Sequence, residues 1–181
     1  MINGKNIQLR LIQQKDLFLL YEKINDPGLR GDHLPAMLIS EVQLQEMFVK
    51  TGFCNEESTR LLIVDLQDNL LGTMHFFKAN TYSDAVELSF LIFSTLHRNK
   101  GYAAEAVTLI CHYLFSHRRL NRIQLSMAVS NEGSRRVAEK CGFKLEGIAR
   151  GSLFLAGKDV DMHIYSLLRD EWAKTANKEM M

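Results

Sequence analysis

The chain has 181 residues, and an apolar fraction of 46% excludes an intrinsically disordered protein. Lys plus Arg (22) nearly balances Asp plus Glu (21), so a formal charge of +1 provides no bulk field for nucleic acid or an anionic membrane. The chain has only three cysteines, which excludes a disulfide scaffold, and none of them forms a CxxC pair or has the spacing of a zinc site. We therefore expect reduced thiols in a cytoplasmic protein without a metal.

Hydrophobic periodicity predicts strands and helices that do not follow a strict βαβα order. In chain order the predicted strands are 7–12, 61–66, 71–77, 85–93, 122–129, 143–155 and 160–168, and the predicted helices are 14–24, one after Ser40, one from about Ala103, and 131–140. We expect Val42, Met47 and Phe48 of the second helix to face inward. The pattern predicts an α+β fold, with one mixed, mostly antiparallel sheet flanked by helices, in a single domain over residues 1–181.

The segment 87–103 is the most informative part of the sequence. A buried strand leads into Arg98-x-x-Gly101-x-Ala103, where a long helix begins. The first N–H groups of a helix have no internal partner and lie at the positive end of its dipole. Small residues there let an anion approach the backbone, and Arg98 and Lys100 add positive charge. The loop is neither a Walker A nor a Rossmann motif, and both a phosphate site and an ordinary helix cap remain open.

Two motifs in the expected order resemble one family. Arg98-x-x-Gly101-x-Ala103 after a strand is similar to the acetyl-CoA pyrophosphate motif, Q/R-x-x-G-x-G/A, of the GNAT N-acetyltransferase superfamily. The stretch 131–147, with Asn131 and Ser134 at its start, resembles the second motif of the branch that includes the ribosomal-protein N-terminal acetyltransferases of the RimJ/RimL type. The resemblance covers nearly the whole chain and implies a GNAT-like acyl-CoA N-acyltransferase fold.

The resemblance also implies where acetyl-CoA binds. The donor would lie between two splayed strands, 85–93 and 122–129, with pantetheine paired to the first like an extra strand. The implied cofactor-binding residues are Phe90, Leu91, Ile92, Phe93, Arg98, Asn99, Lys100, Gly101, Tyr102, Ala103 and Asn131. A backbone N–H near Phe90 or Leu91 would meet the developing oxyanion. Asn131 is equally well placed as a helix N-cap.

Glu87 and Ser134 are the candidate catalytic residues. The amine must be neutral to attack the thioester, so a base helps, directly or through water. Glu87 is an acid in an otherwise apolar strand, although a surface carboxylate paired with a cation is an equal alternative. By resemblance, Ser134 donates to the leaving thiolate, and the alternative is a solvent-facing helix serine.

The sequence departs from the family pattern at two positions. Many members place a tyrosine seven residues after the motif asparagine, where this chain has Ala138. The ribosomal enzymes place a catalytic glutamate at a position that aligns with Leu153. By resemblance the loop 26–34 lines the acceptor side, so Asp32 and His33 are candidate substrate contacts. His75 is a third candidate, with a core or surface histidine as its alternative.

The sequence therefore predicts a transferase that moves an acetyl group from acetyl-CoA to a primary amine. The acceptor is either a protein N-terminus or a small amine such as a polyamine. The alternatives are a catalytically degenerate CoA-binding sensor or interaction module, and a nucleotide-phosphate-binding protein. We expect a cytoplasmic monomer or homodimer with no nucleic-acid or membrane partner.

Overall fold

The computed structural model describes residues 1–30, 32–35 and 38–179. Its strands are β1 (Ile2–Asn3), β2 (Ile7–Leu11), β3 (Ser58–Asp65), β4 (Leu70–Lys78), β5 (Val86–Ile92), β6 (Arg122–Ala128), β7 (Lys144–Leu155) and β8 (Lys158–Leu168). Its α-helices are α1 (Leu17–Asn25), α2 (Pro27–Arg30), α3 (Glu41–Thr51), α4 (Tyr102–His117), α5 (Glu132–Lys140) and α6 (Arg169–Glu179). The eight strands form one sheet in the order β1-β2-β3-β4-β5-β6-β8-β7. Every neighbouring pair is antiparallel except β5–β6, which confirms the predicted α+β fold.

One face of the sheet packs against α4. Ala106, Val107, Ile110 and Leu114 recur at helical spacing and are fully buried in the larger core cluster, as their periodicity predicts. This packing fixes the start of α4 beside the end of β5. The predicted long helix is therefore confirmed.

The other face of the sheet packs against α1 and α3. Ser40 accepts a hydrogen bond from the N–H of Gln43 and caps α3, as expected. The predicted inward face of this helix is wrong for Val42 and Met47, which are 66% and 43% exposed, whereas Leu44 is 1% exposed. It is confirmed for Phe48, which packs against the core cluster. Apolar residues occur on two sides of α3, and its contact with α1 selects the side that carries Leu44.

Helix α6 was not predicted, because its sequence carries no apolar stripe. Its Trp172 stacks on Phe115 of α4 with ring centroids 5.3 Å apart. No helix in the described part of the chain is long and apolar enough to cross a membrane.

The parallel pair β5–β6 creates the feature that positions the site. The two strands pair at only three rungs, Val86↔Ile123, Glu87↔Gln124 and Leu88↔Leu125. Beyond these rungs β5 stays paired with β4 as far as Gly72↔Ile92, while β6 stays paired with β8. The strands therefore diverge and leave facing edges unpaired, as the resemblance implied.

Candidate active site

The gap between β5 and β6 opens into a cavity of about 700 Å³. Leu88 and Phe90 line it with side chains on the α4 face of the sheet, and Ser89 and Leu91 line it from the opposite face. Because both faces contribute, the cavity passes between the strands. Two reactants can therefore approach one point from opposite sides.

Alternation along β5 determines which backbone groups face the gap. The N–H of Phe93 donates to the carbonyl of Leu71 at 3.0 Å, so the peptide groups of Leu91 and Phe93 point toward β4. Those of Phe90 and Ile92 point toward the gap. Of the two amides predicted for the oxyanion, Phe90 N–H has the required direction and Leu91 N–H does not. Phe93 lies in the core cluster and does not line the cavity, so its predicted pairing with pantetheine is corrected.

The start of α4 offers unpaired amides to the cavity. Gly101 is the N-cap in a left-handed conformation with φ of +86°, and Asn99 is also left-handed. The first helical hydrogen bond runs from Glu105 N–H to Gly101 O. Within the described chain, no group accepts a hydrogen bond from the backbone N–H groups of residues 99–104. A Cβ at Gly101 would meet no atom within 4 Å, so this turn has room for a diphosphate.

The two basic residues of this loop have different positions. Arg98 lines the cavity, and its guanidinium donates to the carbonyl of Ile92 at 3.3 Å and to that of Leu29 in α2 at 3.1 Å. Arg98 thus ties the end of β5 to α2. Lys100 is exposed and does not line the cavity, so a role of its charged side chain is not supported, although its backbone N–H is one of the unpaired amides.

The start of α5 forms the opposite wall. Asn131 Oδ1 accepts a hydrogen bond from Ser134 N–H at 3.0 Å, so the N-cap role is present and the Nδ2 donors of Asn131 remain for a ligand. Ser134 is half-buried and lines the cavity, and no described residue hydrogen-bonds its Oγ. Arg136 and Lys140 line the same wall and bring positive charge to it.

Glu87 lies just outside the cavity, at the last part of β5 that still pairs with β6. Its Oε2 accepts a hydrogen bond from Gln124 Nε2 at 2.7 Å. Ser89 is the next residue on the same face, about 7 Å along the strand, and it does line the cavity. Glu87 therefore reaches the site only through an intervening molecule such as water. Its role as the base stays a prediction.

Two of the three predicted substrate contacts line the cavity. Asp32 and His33 line the cavity together with Leu153 of β7 and Met162 of β8, whereas Gly31 of the predicted loop lies outside the described residues. His75 does not line the cavity, so its predicted substrate contact stays a prediction. Its Nε2 hydrogen-bonds with Ser58 Oγ at 2.8 Å. Burial and the charge of Arg60 lower the His75 pKa from 6.5 to about 4.

Comparison with known proteins identifies the family. The sequence model of the acetyltransferase (GNAT) domain matches residues 6–144. The chain belongs to the GNAT family. It is an N-acetyltransferase that uses acetyl-CoA as the acetyl donor.

Two relatives in sequence and one solved structure are similar to this enzyme. It is 25% identical to a spermidine N(1)-acetyltransferase of Vibrio cholerae over 169 residues, covering 93% of this chain and 96% of that protein. YdaF of Bacillus subtilis, provisionally named a ribosomal N-acetyltransferase, is 42% identical over 73 residues, 40% of each chain. The crystal structure of spermidine N-acetyltransferase from Vibrio cholerae with CoA and spermine has a TM-score of 0.80 at 24% identity, covering 92% of this chain and 98% of that one.

Several residues that line this acetyltransferase's cavity were absent from the predicted site. They include residues 125–128 of β6, Leu88, Ser89, Ala104, Gly133, Val137, Lys140 and Met162. The splayed-strand expectation could have added residues 125–128, because they are the unpaired end of the second strand. His97 Nδ1 is buried without a hydrogen-bond partner among the described residues, as is His33 Nδ1. In the described part of the chain, no group of three His, Cys, Asp or Glu could hold a metal ion.

Proposed function

We propose that this enzyme transfers an acetyl group from acetyl-CoA directly to a primary amine of a protein N-terminus or a small molecule such as a polyamine. The observation that carries the proposal is the gap between β5 and β6, whose end meets the unpaired amides of residues 99–104. This arrangement suits a ligand with an extended amide arm and a diphosphate. Coenzyme A has both.

Each wall of the cavity has its own part in binding the donor. The carbonyl of Phe90 and the N–H of Ile92 face the gap and can pair with the pantetheine amides, whereas the carbonyl of Ile92 already accepts from Arg98. The unpaired amides of residues 99–103 bind the diphosphate, since the Arg98 N–H donates to the Thr95 carbonyl. Asn131 Nδ2 donates to the pantetheine arm. When bound, acetyl-CoA supplies the acetyl thioester. The residues of this chain position it, stabilise charge and exclude water.

Three groups serve the transfer itself. Phe90 N–H faces the point where negative charge develops on the carbonyl oxygen. Glu87 accepts the proton of the attacking amine through water, which matters because an alkyl ammonium has a pKa of about 10.4 and is almost entirely protonated at pH 7. Ser134 Oγ donates a hydrogen bond to the departing thiolate. Its unpaired hydroxyl at the cavity wall supports this assignment.

Two different acceptors each have support from the comparisons and the sequence. Similarity to spermidine acetyltransferases over most of the chain favours a polyamine. Ser134 in the second motif, and the local similarity to YdaF, favour the ribosomal-protein branch and a protein N-terminus. Leu153 lines the acceptor side where that branch has an acid. We place the enzyme in the cytoplasm as a monomer or homodimer, and the three free cysteines agree with a reducing compartment.

A second candidate function is a CoA-binding sensor without catalysis. The absence of a tyrosine at Ala138, which is fully buried, and of an acid at Leu153 favours it. Thiol release from acetyl-CoA, with products identified by mass spectrometry over a panel of amines and peptides, separates the two. Acetylation of any member supports the enzyme. Binding of acetyl-CoA with no thiol release above the blank would support the sensor.

A further inference from the structure

A polar row crosses the acceptor-side face of the sheet. Arg60 of β3 lies opposite His75 of β4, and His75 lies opposite Ser89 of β5. Paired residues share a face, and the neighbours of Arg60, Thr59 and Leu61, are buried on the other side. Ser89 is exposed and lines the cavity. The row therefore leads from the cavity, across two strands, to a cation.

Arg60 differs from the other half-buried or buried arginines of the described chain. Each of those has a partner: Arg10 pairs with Asp16, Arg122 with Glu146 and Arg135 with Glu132, Arg98 and Arg169 donate to carbonyls, and Arg118 lies over the Phe76 ring. No described carboxylate, carbonyl or aromatic ring partners the Arg60 guanidinium, which is half-buried. Burial lowers the Arg60 pKa for that reason. An uncompensated cation in this position is costly and attracts an anion.

The neighbours of Arg60 do not supply that anion. His75 is uncharged at neutral pH and is held by Ser58. Glu87, the acid on the same face, lies opposite Phe77 and binds Gln124 instead. Arg60 is therefore the row's one charge at neutral pH, and it faces the side from which the amine approaches.

Resting on the proposed acetyl transfer, we propose that Arg60 binds a carboxylate of the amine acceptor. The Cα atoms of Arg60 and Ser89 are about 10 Å apart, two strand spacings, and an extended arginine side chain covers much of that distance. An acceptor with its amine in the gap then places a carboxylate above His75. The acceptor class is a peptide-like amine with a carboxylate several bonds from the amine. A polyamine, which carries only positive charge, is disfavoured.

The test uses four tripeptides that differ only in charge: Asp-Ala-Ala and Asn-Ala-Ala, each with a free and an amidated C-terminus, together with spermidine. The readout is kcat/KM for thiol release. We expect wild type to prefer a carboxylate-bearing peptide by about tenfold or more, the value of one charge-assisted hydrogen bond. The Asp/Asn pair and the free/amidated pair show which carboxylate binds.

Variants of Arg60 test whether this residue causes the preference for a carboxylate. Arg60→Gln should lose it, Arg60→Lys should keep much of it, and Arg119→Gln, an exposed arginine away from the cavity, should match wild type. Unchanged acetyl-CoA affinity checks that each variant is folded. An equal preference in wild type and Arg60→Gln, or spermidine as the best acceptor of both, would overturn the proposal. Thiol release with none of the amines would instead count against the proposed function.

Discussion

Replacement of Gly101 tests the diphosphate site, and two variants separate charge from backbone strain. Gly101 has φ of +86°, so any side chain costs about 1–2 kcal/mol in conformational free energy. A Cβ there meets no atom within 4 Å, so neither Ala nor Glu produces a clash. Gly101→Ala therefore reports strain alone, and Gly101→Glu adds a negative charge at the same place.

The electrostatic penalty can be estimated for a diphosphate bound at this turn. A glutamate charge about 6 Å from one phosphate charge, at an effective dielectric constant of 20, costs about 3 kcal/mol, or about 100-fold in affinity. A diphosphate carries more than one charge, so the loss should be at least this large. We expect both variants to lose similar thermal stability, while only Gly101→Glu loses most of its affinity for acetyl-CoA.

Isothermal titration calorimetry with acetyl-CoA, and thermal unfolding without it, provide the two measurements. The comparison that matters is between Gly101→Glu and Gly101→Ala, since they share the strained backbone. Equal acetyl-CoA affinity of these two variants would refute the reasoning that the amides around Gly101 bind the diphosphate.

Four further predictions concern other parts of the molecule. Ser134→Ala should lower kcat by about tenfold or more and leave acetyl-CoA affinity nearly unchanged, by steady-state kinetics and calorimetry; wild-type turnover would exclude the thiolate contact. Arg98→Gln should raise KM for the amine more than KM for acetyl-CoA, because it frees the carbonyl of Leu29 in α2; a larger effect on acetyl-CoA would contradict this. Arg10→Ala leaves Asp16 buried and unpaired and should lower the free energy of unfolding in urea by about 3–5 kcal/mol, and a loss below about 1 kcal/mol would contradict the pairing. The free energy of unfolding of the wild type should fall by up to about 3 kcal/mol as the pH falls from 6.5 toward 4, because His75 takes up a proton in the unfolded state before it does in the folded state. Urea unfolding at several pH values should show a smaller fall for His75→Gln. Parallel pH profiles of the two proteins would contradict the lowered pKa of His75.

Local sequence signals predicted the parts of the site that depend on one helix end or one strand. The N-cap role of Asn131 and the start of α4 near Gly101 follow from residue type and position within a few residues. The divergence of β5 from β6 was expected only through the family resemblance. Periodicity shows that two strands exist, but not where their pairing stops.

Features that depend on distant parts of the chain could not be predicted. The direction of the Phe90 amide depends on the register with β4, and the partner of His75 is Ser58, seventeen residues earlier. Burial of Leu44 instead of Val42 depends on α1. The missing partner of Arg60 has no local signature either, because it depends on what three strands bring together.

The most direct test of the account is an amide ¹H–¹⁵N NMR titration of the wild-type enzyme with coenzyme A. The account predicts that the largest shifts fall on the backbone amides of residues 99–104 and of Phe90, since the former bind the diphosphate and the latter faces the gap. Saturable binding that leaves these amides unshifted, while shifts concentrate elsewhere on the chain, would contradict it.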